Sequence, residues 1–173
     1  MMKAEALKDR IRAVFAGVEY PGDQRLRGSD EGDEPFEVEA AFQGRHDWRA
    51  LEAEFIDRAP DGLASALSFF SHAAFRFYLP AYLIADIEGR LERVDPVFQL
   101  THGLDDRSRG EQINPLRHGE MVWFDYAHER FQAFTREEAA AVVAYLTYRR
   151  DLDECQRDSI DEAIRNYWQD RAK

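Results

Sequence analysis

Residues 69–88 read FFSHAAFRFYLPAYLIADIE, the longest apolar stretch in the chain. Phe69, Phe70, Phe75, Phe77, Tyr78 and Tyr82 all fall within it, and on a helix they point in every direction rather than along one stripe. A helix apolar all round belongs at the centre of a bundle, because any face turned to water would leave large side chains hydrated. Ser71 is suited to accept a hydrogen bond from an orphan first-turn amide, which starts the helix near His72. Pro80 removes one backbone donor and crowds the carbonyl of Arg76, so one bent helix or two short ones are expected. Gly89 follows the last apolar position and offers a left-handed C-terminal cap.

The flanking segments are one-sided, the pattern of helices laid against such a centre. Residues 3–17 set Leu7, Ile11, Val14 and Phe15 on one face, with Lys3, Lys8, Asp9 and Arg12 on the other. Pro35 opens a short helix through Phe42, and Asp47 caps a second one over 48–59, with Trp48, Leu51, Phe55 and Ile56 as its buried stripe. Pro60 and Gly62 turn the chain into a short apolar piece, 63–67. Asp95 and Pro96 start a turn or two of helix. Over 120–134, Val122, Phe124 and Tyr126 alternate as in a strand, while Phe124, Phe131 and Phe134 fit a helix face; irregular or helical structure is favoured. Thr135 and Glu138 form a capping box that opens a helix through Leu146 and Arg150. A last helix follows from about Leu152 and buries Ile160, Ala163, Ile164, Tyr167 and Trp168; whether a break over 149–153 separates the two stays open. The expected fold is an all-α, single-domain bundle of about seven helices over 1–173, wrapped around a kinked central helix at 71–88.

A chain of 173 residues is most simply one domain, long enough to bury about 70% of its unfolded surface. Its 34 acidic residues outnumber 23 basic ones, for a net charge of -11. Nucleic acid and anionic membrane surfaces are disfavoured as partners, since both need a basic face, whereas a basic protein is permitted. No stretch approaches the ~18 uninterrupted apolar residues of a membrane span, and the start, MMKAEALKDR, is charged, so a cytoplasmic location is expected. One cysteine, Cys155, excludes an internal disulfide and cysteine-rich metal sites.

Two segments lack periodicity and are expected as surface loops, 20–35 and 101–119. The first leads into the one biased charge patch, where Asp30, Glu31, Asp33, Glu34, Glu37 and Glu39 follow one another without a base. The D-x-D-x-D-G spacing of a calcium loop is absent, so Asp30, Glu31, Asp33 and Glu34 are candidates for meeting a partner rather than a metal. On a straight helix at ~100° per residue, His72, Arg76, Asp86 and Arg90 share a sector about 80° wide. With His118 from the second loop, Arg76 and Asp86 make a candidate polar cluster; the competing view has these groups as solvated helix ends, with Arg76 snorkelling outward. No two of the five histidines have the i, i+4 zinc spacing, and His128–Glu129 with His118 and Glu120 is the nearest approach to a ligand set. G-x-S-x-G, phosphate-loop and dinucleotide patterns are absent. The row Glu154, Asp158 and Glu162 reads as a solvated helix face beside Arg157 and Arg165. No catalytic, cofactor or metal residue is assigned, which leans away from an enzyme.

The run FFSHAAFRFYLPAYLIADIEG, followed by AFTREEAAAVVAYLTYRRD and SIDEAIRNYW, resembles an uncharacterised bacterial family with the segment S-x-x-A-F-R-[FY]-Y-L-P-A-[YF]-L. The resemblance spans about residues 36–168 and implies no activity. This chain departs from it after the capping serine, with His72-Ala73 where Pro-Glu is expected.

The charge, the acid patch and the missing catalytic motifs point to a cytoplasmic protein-binding module, in the manner of small acidic immunity or antitoxin proteins that mask basic toxins. The alternative is a small-molecule enzyme or sensor with its pocket between the central helix and the 101–119 loop, using Arg76, Asp86 or His118.

Overall fold

The computed structural model describes residues 2–60 and 65–173; the expected turn at Gly62 and the start of the 63–67 piece lie outside them. The chain is all-α, with no strand among the described residues, and its α-helical segments outnumber the seven expected. Two compact units divide it, residues 1–96 and 97–173.

In the first unit, α1 (Met2–Val14), α2 (Glu34–Phe42) and α3 (Ala53–Arg58) accompany the central helix α4 (His72–Ile87). The Ser71 hydroxyl accepts from Ala74 N–H at 3.1 Å, the expected cap. The helix then runs unbroken through Pro80, so the two-helix alternative fails. Ten of its sixteen residues are buried, among them Phe75, Phe77, Tyr78, Leu79 and Tyr82. Truncating Phe75 to alanine would remove packing worth about 3–5 kcal/mol.

Helices α1 and α3 and the 3₁₀ turn Trp48–Ala50 pack on α4. Leu7, Ile11 and Phe15 are buried as the periodicity predicts, but Lys8, assigned to the outer face, is only 8% exposed. Its ammonium reaches Glu88 at 2.9 Å and Glu5 at 3.0 Å, so burial of the stem is offset by two carboxylates. The helix expected over 48–59 is also broken. Asp47 caps only the 3₁₀ turn, by accepting from Arg49 N–H at 3.0 Å, and the extended backbone of Leu51 and Glu52 precedes α3.

The 20–35 loop is stitched to the start of α4. Gly28 N–H donates to Phe69 O at 2.7 Å, Ser71 N–H to Leu26 O at 2.8 Å and the Ser71 hydroxyl to Arg25 O at 2.6 Å. A Cβ at Gly28 would meet the Phe70 carbonyl oxygen at 2.7 Å, so only glycine allows this approach. Beneath the loop, Phe42, Phe70 and Tyr78 pack with ring centroids 4.8–5.1 Å apart, and the Tyr78 hydroxyl donates to Arg45 O at 2.8 Å.

Asp57, 8% exposed on α3, accepts from three successive backbone N–H groups, those of Glu92, Arg93 and Val94, at 2.9–3.1 Å. Those donors would otherwise be lost to solvent as the chain leaves α4.

In the second unit, α5 (Pro96–Thr101) is followed by the 101–119 segment, which is ordered: Leu104, Ser108 and Ile113 are buried, and α6 (Pro115–His118) lies within it. Asp106 is held on three sides. Its N–H donates to Glu162 at 2.9 Å, while Asn166 and Arg165 donate to its carboxylate at 2.8 and 2.9 Å. Residues 120–134 take the helical alternative as α7 (Trp123–Phe131). The Thr135–Glu138 capping box forms in both directions and opens α8 (Arg136–Leu152). Asp153 ends α8, and its side chain accepts from Cys155 N–H at 2.9 Å, which answers the open question: the last two helices are separate. Helix α9 (Arg157–Ala163) passes through a π-helical turn (Ile164–Trp168) into Gln169–Arg171. Trp168 is fully buried among Phe131, Phe134 and Tyr167, with its indole N–H donating to Leu100 O at 2.8 Å.

Burial alone would raise the Asp57 pKa, but the backbone donors of Arg93, Val94 and Glu92 more than offset it and the pKa is lowered. Its stabilisation is therefore present above the unfolded carboxyl's pKa of ~4 and is lost as pH falls through the lower folded value. Asp57→Ala should destabilise the protein by about 2–3 kcal/mol at neutral pH. Asp57→Asn should flatten the decline of stability below pH ~4, read by urea denaturation at several pH values.

Candidate functional site

Helix α2 divides its residues among three surroundings. Pro35, Val38 and Phe42 form the buried face. Phe36 and Glu39 meet Arg27, whose guanidinium lies 4.5 Å from the Phe36 ring centroid, forms an ion pair with Glu39 and reaches Asp30 at 2.8 Å. Glu34, Glu37 and Ala41, spaced i, i+3, i+7, share the remaining face.

That third face borders an open groove of about 640 Å³. Phe55, Ala41, Ala59 and Pro60 supply its apolar lining, and Glu37, Glu52 and Glu54 line it beside them. The break between the 3₁₀ turn and α3 puts Glu52 and Glu54 on the rim, since a continuous helix from Trp48 would have aimed them differently. The apolar lining is braced: Arg45 sits 3.8 Å from the Phe55 ring centroid and donates to Ala41 O at 2.9 Å. Arg58 is the one base lining the groove among the described residues, and it approaches Glu54 to 3.7 Å. Such a surface can hold an apolar side chain between carboxylates that attract a positive neighbour.

Asp30, Glu31, Asp33 and Glu34 stand together at the start of α2, all exposed. The run without a base acquires one in space, because Arg27 folds back onto its Asp30 and Glu39 ends. Arg76 and Asp86 are half-buried on α4, and ten helical residues separate them by ~15 Å along the axis, too far to pair with each other. His118 ends α6 in the other unit, exposed, with its ring 6.0 Å from that of Tyr126.

The second unit has a cavity of about 300 Å³ beside the π-helical turn, lined in part by His128, Glu129, Tyr167 and Arg171. The His128 ring packs against Phe124 and Tyr167, each at 4.6 Å, and the water they displace lowers its pKa although one edge stays exposed. Most polar groups here are structural: Asn166 donates to Leu104 O at 2.9 Å, and Arg171 to Gln132 O and Phe134 O at 3.0 and 2.6 Å. Among the described residues, no three His, Cys, Asp or Glu side chains are placed to hold a metal ion. No helix there is long and apolar enough to cross a membrane.

The groove was missed in the sequence because Glu37 comes from α2, Glu54 and Phe55 from α3 and Glu52 from the extended residue before it, and no local pattern reports how these segments pack. Only its α2 edge had a signal, the acid run.

An all-α chain with an acid-rimmed groove is as far as fold and site define the class. The chain belongs to the family of unknown function DUF6714, whose model matches residues 3–172. No match was found among curated proteins or among solved structures.

Arg27→Gln should release the loop it clamps to α2. Amides of 28–33 should then exchange faster by hydrogen–deuterium exchange, with those of α4 unchanged.

Proposed function

We propose that the protein is a protein-binding module whose first unit receives a basic segment of a partner, with an apolar side chain of that segment seated on Phe55, Ala41, Ala59 and Pro60. The observation that carries this reading is the pairing of that apolar lining with Glu37, Glu52 and Glu54 beside it. Glu34, Asp33, Glu31 and Asp30 extend the same charge away from the groove, where it would steer a cationic partner before contact. The net charge of -11 acts in the same direction at longer range. The setting proposed is the bacterial cytoplasm, which the exposed single thiol of Cys155 suits.

The test uses a short synthetic peptide with lysines and arginines flanking one leucine, titrated into the full chain by fluorescence anisotropy. Binding should weaken with added salt and when the leucine is replaced by serine. Joint Glu37→Gln, Glu52→Gln and Glu54→Gln substitution should cost about tenfold in affinity, three exposed pairs at ~0.5 kcal/mol each. Neutralising Asp30, Glu31, Asp33 and Glu34 should instead slow association. Unchanged binding of the groove variant at low salt would refute the proposal.

A further inference from the structure

A second concavity in the first unit has the opposite character. It encloses about 270 Å³, with Arg12, Arg49 and Arg90 on its walls and Trp48, Leu51 and Ile84 among its apolar lining. The three arginines come from α1, from the 3₁₀ turn after Asp47, and from the residues following α4. Three arginines from separate segments therefore line one small pocket in a chain of net charge -11.

The one carboxylate lining this pocket, Glu88, is already claimed by Lys8, whose ammonium lies 2.9 Å away and whose hydrogen bond holds the Glu88 pKa below its ordinary value. With that pair counted as neutral, the pocket's own lining holds three arginines and no further carboxylate, while the acids paired with them, Asp9, Asp47 and Glu52, are not among its lining residues. The arginines do have acidic neighbours, but they spend few donors on them. Arg12 uses Nη1 on Asp9 at 2.9 Å, and Arg49 reaches Asp47 at 3.3 Å and Ala16 O at 3.4 Å. Arg90 approaches Glu88 and Glu52 only to 3.5 and 3.8 Å. A guanidinium carries five N–H donors in a planar fork that matches two oxygens of an oxyanion. Asp9 and Glu52, with side chains 74% and 82% exposed, can turn to water at little cost when a better anion arrives.

We infer that this pocket binds a small organic oxyanion, with a multiply charged phosphate or carboxylate head held by Arg12, Arg49 and Arg90 and a compact apolar body against Leu51 and Ile84. It is separate from the acidic groove in both charge and lining, and it does not depend on the function proposed for that groove.

Isothermal titration calorimetry on the full chain tests it with phenyl phosphate, phthalate and inorganic phosphate as probes. At least one of the first two should bind at one site per chain, more tightly than inorganic phosphate, and more weakly as salt rises. The tighter of the two identifies the head group. Arg49→Gln and Arg90→Gln should each weaken that binding by about tenfold, the loss of one charge-assisted contact. Their side chains are 45% and 54% exposed, so both variants should melt as the parent protein does. Arg136→Gln, on the exposed start of α8, should bind unchanged. No saturable heat with either aromatic probe at millimolar concentration would overturn the inference, as would equal loss in the Arg136 variant.

Discussion

Helix α4 buries ten of its sixteen residues, so the rest of the first unit has to pack against it. Phe75, Phe77, Tyr78, Leu79, Tyr82 and Leu83 are all at most 3% exposed, although they point around the full circle of the helix. At ~1.5–3 kcal/mol for each large side chain buried, no alternative placement of α4 competes. The surroundings follow from this. Helix α1 gives Leu7 and Ile11, α2 gives Val38 and Phe42, α3 gives Ile56, and the loop before α2 is drawn into backbone hydrogen bonds with 69–71. With their inner faces committed to packing, α2 and α3 keep Glu37, Glu54 and Arg58 outside, Asp57 being the buried exception, and those outer faces border the groove.

Features fixed by a few neighbouring residues were legible in the sequence. The Ser71 cap, the Thr135–Glu138 box and the inner face of α1 each depend on spacings within one or two turns. Features fixed by distant partners were not. Lys8 looks like a surface residue until Glu88 is placed beside it, eighty positions away. The break at Leu51 and Glu52 and the π-helical turn at 164–168 leave no mark in the apolar pattern, since Ile160, Ala163, Tyr167 and Trp168 suit an ordinary helix equally well. The acid run showed one edge of the groove and nothing of its apolar lining, and the arginines at 12, 49 and 90 have no common motif.

Charge is sorted rather than spread in the first unit. Arg27 and Arg45 brace apolar rings, Arg12, Arg49 and Arg90 gather at one pocket, and the groove rim keeps Glu37, Glu52 and Glu54 with Arg58 as its base. Arg90 and Glu52 stand at the boundary between the two sites, 3.8 Å apart. A surface sorted in this way is complementary to a cationic segment at one place and to a small anion at another.

The most direct measurement of the groove's role is amide chemical-shift mapping of the labelled full chain during titration with a lysine- and arginine-rich peptide bearing one leucine. Saturable shifts centred on Glu37, Ala41, Phe55 and Arg58, extending to Asp33 and Glu34, are expected. Shifts scattered over acidic residues of both units, without saturation, would show only general charge attraction and would contradict a built docking site.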